Sequence, residues 1–120
     1  MTTLDIGAET EQIALDYLVN QKLKLLTRNF RCKVGELDLV MLSAKHELIF
    51  VEVRYRKSND HGGALESITV GKQRKLIKTA QYFLLKYAKY ANHPCRFDVI
   101  AIHGATNKPE IEWIQDAIQS

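Results

Sequence analysis

Cysteine, proline and tryptophan are scarce in this chain: two, two and one among 120 residues. Cys32 and Cys95 stand far apart, in no CxxC or Cys/His spacing, which argues against a zinc site. It argues equally against a disulfide framework, so a reducing compartment is expected. No apolar run approaches the roughly 20 residues that a membrane-spanning helix needs. The opening MTTLDIGAETEQ has Asp5, Glu9 and Glu11 where a secretion signal would carry basic and then apolar residues, so a cytoplasmic location is expected. No internal repeat, low-complexity tract or Pro/Gly/Ser linker divides the chain. No glycine-rich phosphate loop is present, and no serine or cysteine is paired with a histidine as an activated nucleophile would be.

What is there is ordinary globular composition, 46% hydrophobic and 26% charged, with a net charge of +3. One domain spanning 1–120 is expected, long enough to bury a real core. The mildly basic balance permits a polyanionic partner without requiring one.

Hydrophobic spacing predicts the elements. LDIGAETEQIALDYLVNQ reads as a first helix, with Ile6, Ile13, Ala14, Tyr17 and Leu18 on one side. LKLLTRNFR reads as a strand, followed by two more over 36–42 and 48–56 around the polar SAKHE. KSNDHGGALES is expected to be a loop marked by Gly62–Gly63. Thr69 is placed to N-cap a long helix over 70–90 whose stripe is Leu76 or Ile77, Ala80, Leu84 and Tyr87. RFDVIAIHG and a short EIEWI follow as strands, and QDAIQS as a closing helical turn. The order α-β-β-β-α-β-β-α predicts an α/β fold: a mixed sheet with a central hairpin flanked by helices, and one parallel crossover through the long helix.

The hairpin poses the chemical question. A five-residue turn centred on Lys45 pairs Leu42 with Leu48, Val40 with Phe50 and, on the other face, Met41 with Ile49 and Leu39 with Val51. Apolar meets apolar, the usual determinant of register. The same register sets Asp38 opposite Glu52, and like charges on opposed strand positions repel. A proton, a cationic side chain or a metal ion must offset that repulsion. A slide of two residues would instead place Arg54 opposite Asp38 as a plain ion pair, so three readings stay open: ion pair, metal site and shared-proton acid/base pair. If a metal is held, oxygen ligands suit Mg2+ or Mn2+.

GELDLVM followed by FVEVRYR resembles the D…ExK signature of the PD-(D/E)XK nuclease superfamily, with fourteen positions from Asp38 to Glu52. Over nearly its whole length the chain is similar to the YraN-type family of small bacterial proteins, placed in that superfamily with a restriction-endonuclease-like core. The likeness includes Gly7, Glu11, Ala14 and Leu18 of the first helix, then RNFR, GELDLV, FVEVRYR, KQRKL and RFDVIAI. The resemblance implies metal-dependent endonuclease chemistry on a phosphodiester, with DNA ahead of RNA as substrate. It also implies Asp38 and Glu52 as ligands to Mg2+ or Mn2+, with the backbone carbonyl of Val53 as a third. Arg54 falls at the superfamily's Lys position; Glu11 would be a further acid near the metal, and Gln73 a polar helix position of related nucleases. Glu36 is expected to pair with Arg54. Two departures stand out. Arginine cannot serve as a general base, although it can orient water or stabilise charge. Thr10 stands where the family has a glycine.

For holding nucleic acid, Lys75, Lys78, Tyr82, Lys86 and Lys89 share one side of the long helix, and Arg28, Arg31 and Lys33 precede the hairpin. Arg56 and Lys72 extend this set. The plainer alternative is a solvated helix face. His46, His61, His93 and His103 read as isolated histidines, His61 being the one able to approach a substrate; Trp113 and Tyr17 read as core, and Asp98 beside Arg96 as a structural pair. The readings carried forward are a metal-dependent endonuclease and, alternatively, a non-catalytic nucleic-acid-binding module or complex subunit.

Overall fold

The structure, a computed structural model, describes residues 3–56 and 63–119. The elements are α1 (Thr3–Asn20), β1 (Lys24–Cys32), β2 (Gly35–Leu42), β3 (Leu48–Arg56), α2 (Gly63–Glu66), α3 (Val70–Lys86), β4 (Cys95–His103) and β5 (Glu110–Ile118). Five strands form one sheet in the order β1-β2-β3-β4-β5, antiparallel except for the parallel β3–β4 pair. That pair is the crossover expected through the long helix, and the mixed α/β architecture is the one the pattern predicts.

Both faces of the sheet are covered. On one, Ala14, Leu15 and Leu18 of α1 pack on Leu39, Met41, Ile49, Val51, Ile100 and Ile102. On the other, Leu76, Ala80 and Phe83 of α3 pack on Val40, Leu48, Phe50, Phe97 and Val99. β3 and β4 are buried from both sides, which is why their sequences read as nearly continuous apolar runs. Thr69 caps α3 as expected, its side chain accepting from the Lys72 N–H at 3.2 Å.

Three details differ from the expectation. Of the loop expected over 57–67, residues 57–62, His61 and Gly62 among them, lie outside the described residues, and the rest contains the one-turn helix α2. The long helix stops at Lys86, and a separate 3-10 turn spans Ala88–Tyr90. The closing helical turn is strand instead: β5 runs on to Ile118, which pairs with Phe97 and is 2% exposed. Asp116 is left-handed (φ 52°), its N–H donating to the buried Asp98 carboxylate at 2.9 Å. That bond accommodates a register shift between Phe97 and Val99 while Ile118 stays in the core.

Candidate metal centre

The hairpin ladder pairs Leu42 with Leu48, Met41 with Ile49, Val40 with Phe50 and Leu39 with Val51, and ends there. The two-residue slide is thereby excluded. Beyond Leu39 the strands part, and Asp38 fills the opening: its Oδ2 accepts the Val53 N–H at 2.8 Å, where a ladder carbonyl would otherwise sit. In an extended strand a residue's N–H and C=O face the same neighbour. The Val53 carbonyl therefore faces the same opening.

The strict face alternation expected along β2 breaks at this point. Leu37 joins the α3-side core with Val40, whereas Leu39 and Met41 join the α1-side core. β1 distorts in step. Phe30 pairs with Leu37 and Arg28 with Leu39, leaving Asn29 (φ 56°) across from Asp38. Asparagine tolerates that left-handed geometry at little cost.

Glu52 meets Asp38 from the α3 side, close enough for a hydrogen bond between the two carboxyls. Burial first, then the facing Asp38, push Glu52 from the usual 4.5 up to about 9; Arg54 pulls the other way, and Glu36 adds a smaller push upward. Near neutral pH, without a cation, this carboxyl holds a proton. One acid pair sits where the sheet opens, and compensation by Arg54 is incomplete.

Two cavities flank the pair. On the α3 side, about 170 Å³ is lined by Gly35, Glu36, Glu52, Arg54, Lys72, Lys75, Leu76 and Thr79. The buried Nε of Arg54 has no hydrogen-bond partner among the described residues. On the α1 side, about 510 Å³ is bordered by Gly7, Thr10, Glu11, Arg28, Asn29, Arg31, Asp38, Val53 and Tyr55, with Glu36 common to both. Gly35 lets α3 approach the hairpin, since a Cβ there would lie 3.0 Å from Thr79 Oγ1. Gly35→Ala is accordingly expected to cost about 1 kcal/mol, read as a lower urea midpoint.

The structure places the other expected residues as follows. Glu11 borders the Asp38 cavity and accepts from Arg28 (3.2 Å) and Asn29 (3.1 Å), so Arg28 is engaged by α1. Glu36 pairs with Arg31 at 2.7 Å, where Arg54 was the expected partner; Arg31 lies next to it in the β1–β2 register. Gln73 donates to the Ile68 carbonyl at 3.1 Å and does not line either cavity. Lys72 and Lys75 line the Glu52 cavity, and Lys78 is exposed further along α3. Lys33 lies over the Tyr82 ring at 5.8 Å, and Arg56 is exposed at the end of β3. Reasoning from sequence missed Asn29, Gly35 and Thr79 as shapers of the site. Asn29 carried no signal, whereas the glycine that opens GELD did.

Asp98 is structural, as expected. Fully buried, it accepts from Arg96 (3.1 Å), Trp113 Nε1 (2.9 Å) and the Asp116 N–H. Trp113 also meets Tyr17 edge-on at 6.2 Å; both are half-buried and pack against the α1-side core from its margin, where core positions were expected. Among the described residues no group of three or more His, Cys, Asp or Glu side chains gathers as a metal cluster, and no helix is long and apolar enough to cross a membrane.

The family model "Uncharacterised protein family UPF0102" matches residues 10–102. A UPF0102 protein of Stutzerimonas stutzeri (strain A1501) is 50% identical over 114 residues, which cover 95% of this chain and 94% of the relative. One from Pseudomonas fluorescens (strain Pf0-1) is 50% identical over 117 residues, 98% of this chain and 95% of the relative. Among solved structures, Pyrococcus furiosus SfsA in complex with Ca2+ is similar with a TM-score of 0.38 and 15% identity, over 95% of this chain and 64% of that one. This chain belongs to the UPF0102 family, the YraN-type group its motifs resemble.

Proposed function

We propose that this protein is a metal-dependent endonuclease that hydrolyses phosphodiester bonds in nucleic acid, DNA before RNA. One observation carries the reading: a half-buried carboxyl pair, Asp38 and Glu52, lies where two strands part, and its Glu52 member lines a cavity shared with Arg54, Lys72 and Lys75.

The donor set fits a hard divalent cation. Two carboxylates and the Val53 carbonyl are all oxygen ligands, few enough to leave positions for water and phosphate, as Mg2+ and Mn2+ require. The raised Glu52 fits as well, because a cation would relieve the repulsion that a proton relieves in its absence. When bound, such an ion supplies Lewis-acid polarisation of a phosphoryl oxygen and a water of lowered pKa. Asp38, held by the Val53 N–H, fixes one side of the ion's seat, and Glu52 must release its proton to form the other. Arg54 offers a guanidinium to the charge that builds on the phosphate. Lys72 and Lys75 are exposed on the rim and serve the flanking phosphates.

The test is calorimetric titration of Mn2+ into wild type and Asp38→Ala, with cleavage measured on branched, flapped, single-stranded and duplex substrates. Wild type is expected to bind one ion and to release a proton on binding. Its affinity should rise about tenfold per pH unit below pH 9, because Glu52 must deprotonate first. Asp38→Ala is expected to lose both binding and cleavage. Absence of Mn2+ binding by wild type would sink the metal site. Binding without cleavage on every substrate would favour the second reading, a non-catalytic nucleic-acid-binding module, which the arginine at position 54 already suggests.

A further inference from the structure

The stretch from Ser67 to Phe97 contains no Asp or Glu, yet it carries Lys72, Arg74, Lys75, Lys78, Lys86, Lys89 and Arg96. It begins at the Glu52 cavity and follows α3 to its far end. There, a second cavity of about 230 Å³ lies between α3, the 3-10 turn and edge strand β1, lined by Leu26, Thr27, Phe83, Tyr87, Lys89 and Tyr90.

Its walls are aromatic and its rim is cationic. Tyr87 packs on Phe83 with centroids 4.7 Å apart, and Tyr90 stacks near-parallel to Phe83 (22°) at 6.3 Å. Each tyrosine carries its own ammonium: Lys86 Nζ is 5.5 Å from the Tyr87 centroid, and Lys89 Nζ is 5.1 Å from that of Tyr90. Core packing alone explains the tyrosines' inner faces. It does not explain why a cavity is left beside their rings, or why the lysine preceding each tyrosine in sequence carries its ammonium over that ring. A flat π-face beside a mobile cation is the pairing that an unpaired base and its phosphate require.

We propose that this groove stacks an unpaired nucleobase of a single-stranded segment whose backbone follows the basic face of α3 toward the cleft. Tyr87 and Tyr90 supply the stacking surface, and Lys86 and Lys89 the phosphate contacts. From Lys75 to Lys86 the helix rises roughly 16 Å, a span of a few nucleotides. The inference shares nucleic acid as the partner with the function proposed above, but it needs neither metal nor cleavage.

The test is binding of labelled 12-nucleotide single strands, followed by fluorescence anisotropy in EDTA. One strand carries bases throughout; the other has the same backbone with abasic sites. Wild type is expected to bind the base-bearing strand about tenfold more tightly, the preference that one stacked base supplies. Tyr90→Ala should erase that preference, and Tyr90→Phe should keep it. Lys86→Gln/Lys89→Gln, which alters only exposed residues, should weaken both strands and flatten the salt dependence. Equal affinity of wild type for the two strands would overturn the proposal. So would an undiminished preference in Tyr90→Ala that melts as wild type does, or an unchanged salt slope in the double lysine variant. Adenosine monophosphate, offering one base and one phosphate, should bind at least a hundredfold more weakly than the strand; matching affinity would overturn the strand reading in favour of a free nucleotide. A failure of Mn2+ binding or cleavage leaves all these results untouched, so the two proposals fail separately.

Discussion

Glu52→Gln is expected to abolish phosphodiester cleavage while making the protein more stable at alkaline pH. The two effects share one origin. In the folded chain the Glu52 carboxyl holds its proton up to about pH 9, and in the unfolded chain it releases it near 4.5. Between those values the native state binds more protons than the unfolded state, so wild-type stability falls as pH rises through the window. Glutamine keeps the shape, donates to Asp38 as the protonated acid does, and has no proton to lose. The variant should match wild type near pH 5 and exceed it at pH 9 by on the order of 3 kcal/mol, read from urea midpoints across pH. Cleavage should fall on the order of a thousandfold or more, since the seat for the cation loses one of its two charges. Saturating Mn2+ should restore wild-type stability at pH 8, by about 2.7 kcal/mol at a hundredfold excess over Kd, and leave the variant unmoved. A wild type with flat stability from pH 5 to 9, or a variant that still cleaves, would remove Glu52 from the proposed chemistry.

That an acid pair would meet here was legible in the residues, because matching Leu42 to Leu48 and Leu39 to Val51 left Asp38 and Glu52 facing each other. The way the strands accommodate them was not. Relief comes from the parting of β2 and β3, the Asp38–Val53 bond and the left-handed Asn29 opposite; such a local break in alternation has no periodic signature. Register misled on Glu36 as well. Extending the hairpin past Leu39 pointed it at Arg54, but once the ladder ends there its nearest cation is Arg31 on β1. At the other end of α3, spacing identified the apolar stripe. That Tyr87 and Tyr90 border a cavity depends on the helix ending at Lys86 and on the position of β1, neither of which a helical wheel contains.

Asp98→Ala is expected to destabilise the fold by about 3–5 kcal/mol, enough to remove a large part of the stability of a domain this size. The carboxylate is fully buried and serves Arg96, Trp113 Nε1 and the Asp116 N–H together. Without it, the half-buried Arg96 keeps Glu47 at 3.2 Å as its remaining acidic partner, and the indole and amide lose their acceptor. The last turn of β5, left-handed at Asp116, is tied to β4 by that amide bond, so Ile118 should leave the core first. Asp98→Asn retains an acceptor for the indole but loses the charge that balances Arg96, and should fall between the two. Substituting both members, as Arg96→Met/Asp98→Leu, should recover much of the loss, because no uncompensated charge then remains buried. The midpoint of urea unfolding measures all three variants, and Mn2+ affinity at low temperature, where the variants are still folded, separates structure from chemistry. Affinity should stay within about twofold of wild type, the scale of change for a site that shares no partners with the mutated one. Were Asp98→Ala instead to keep its stability and lose the ion, Asp98 would be a ligand, and the two-carboxylate site would have to be redrawn around three.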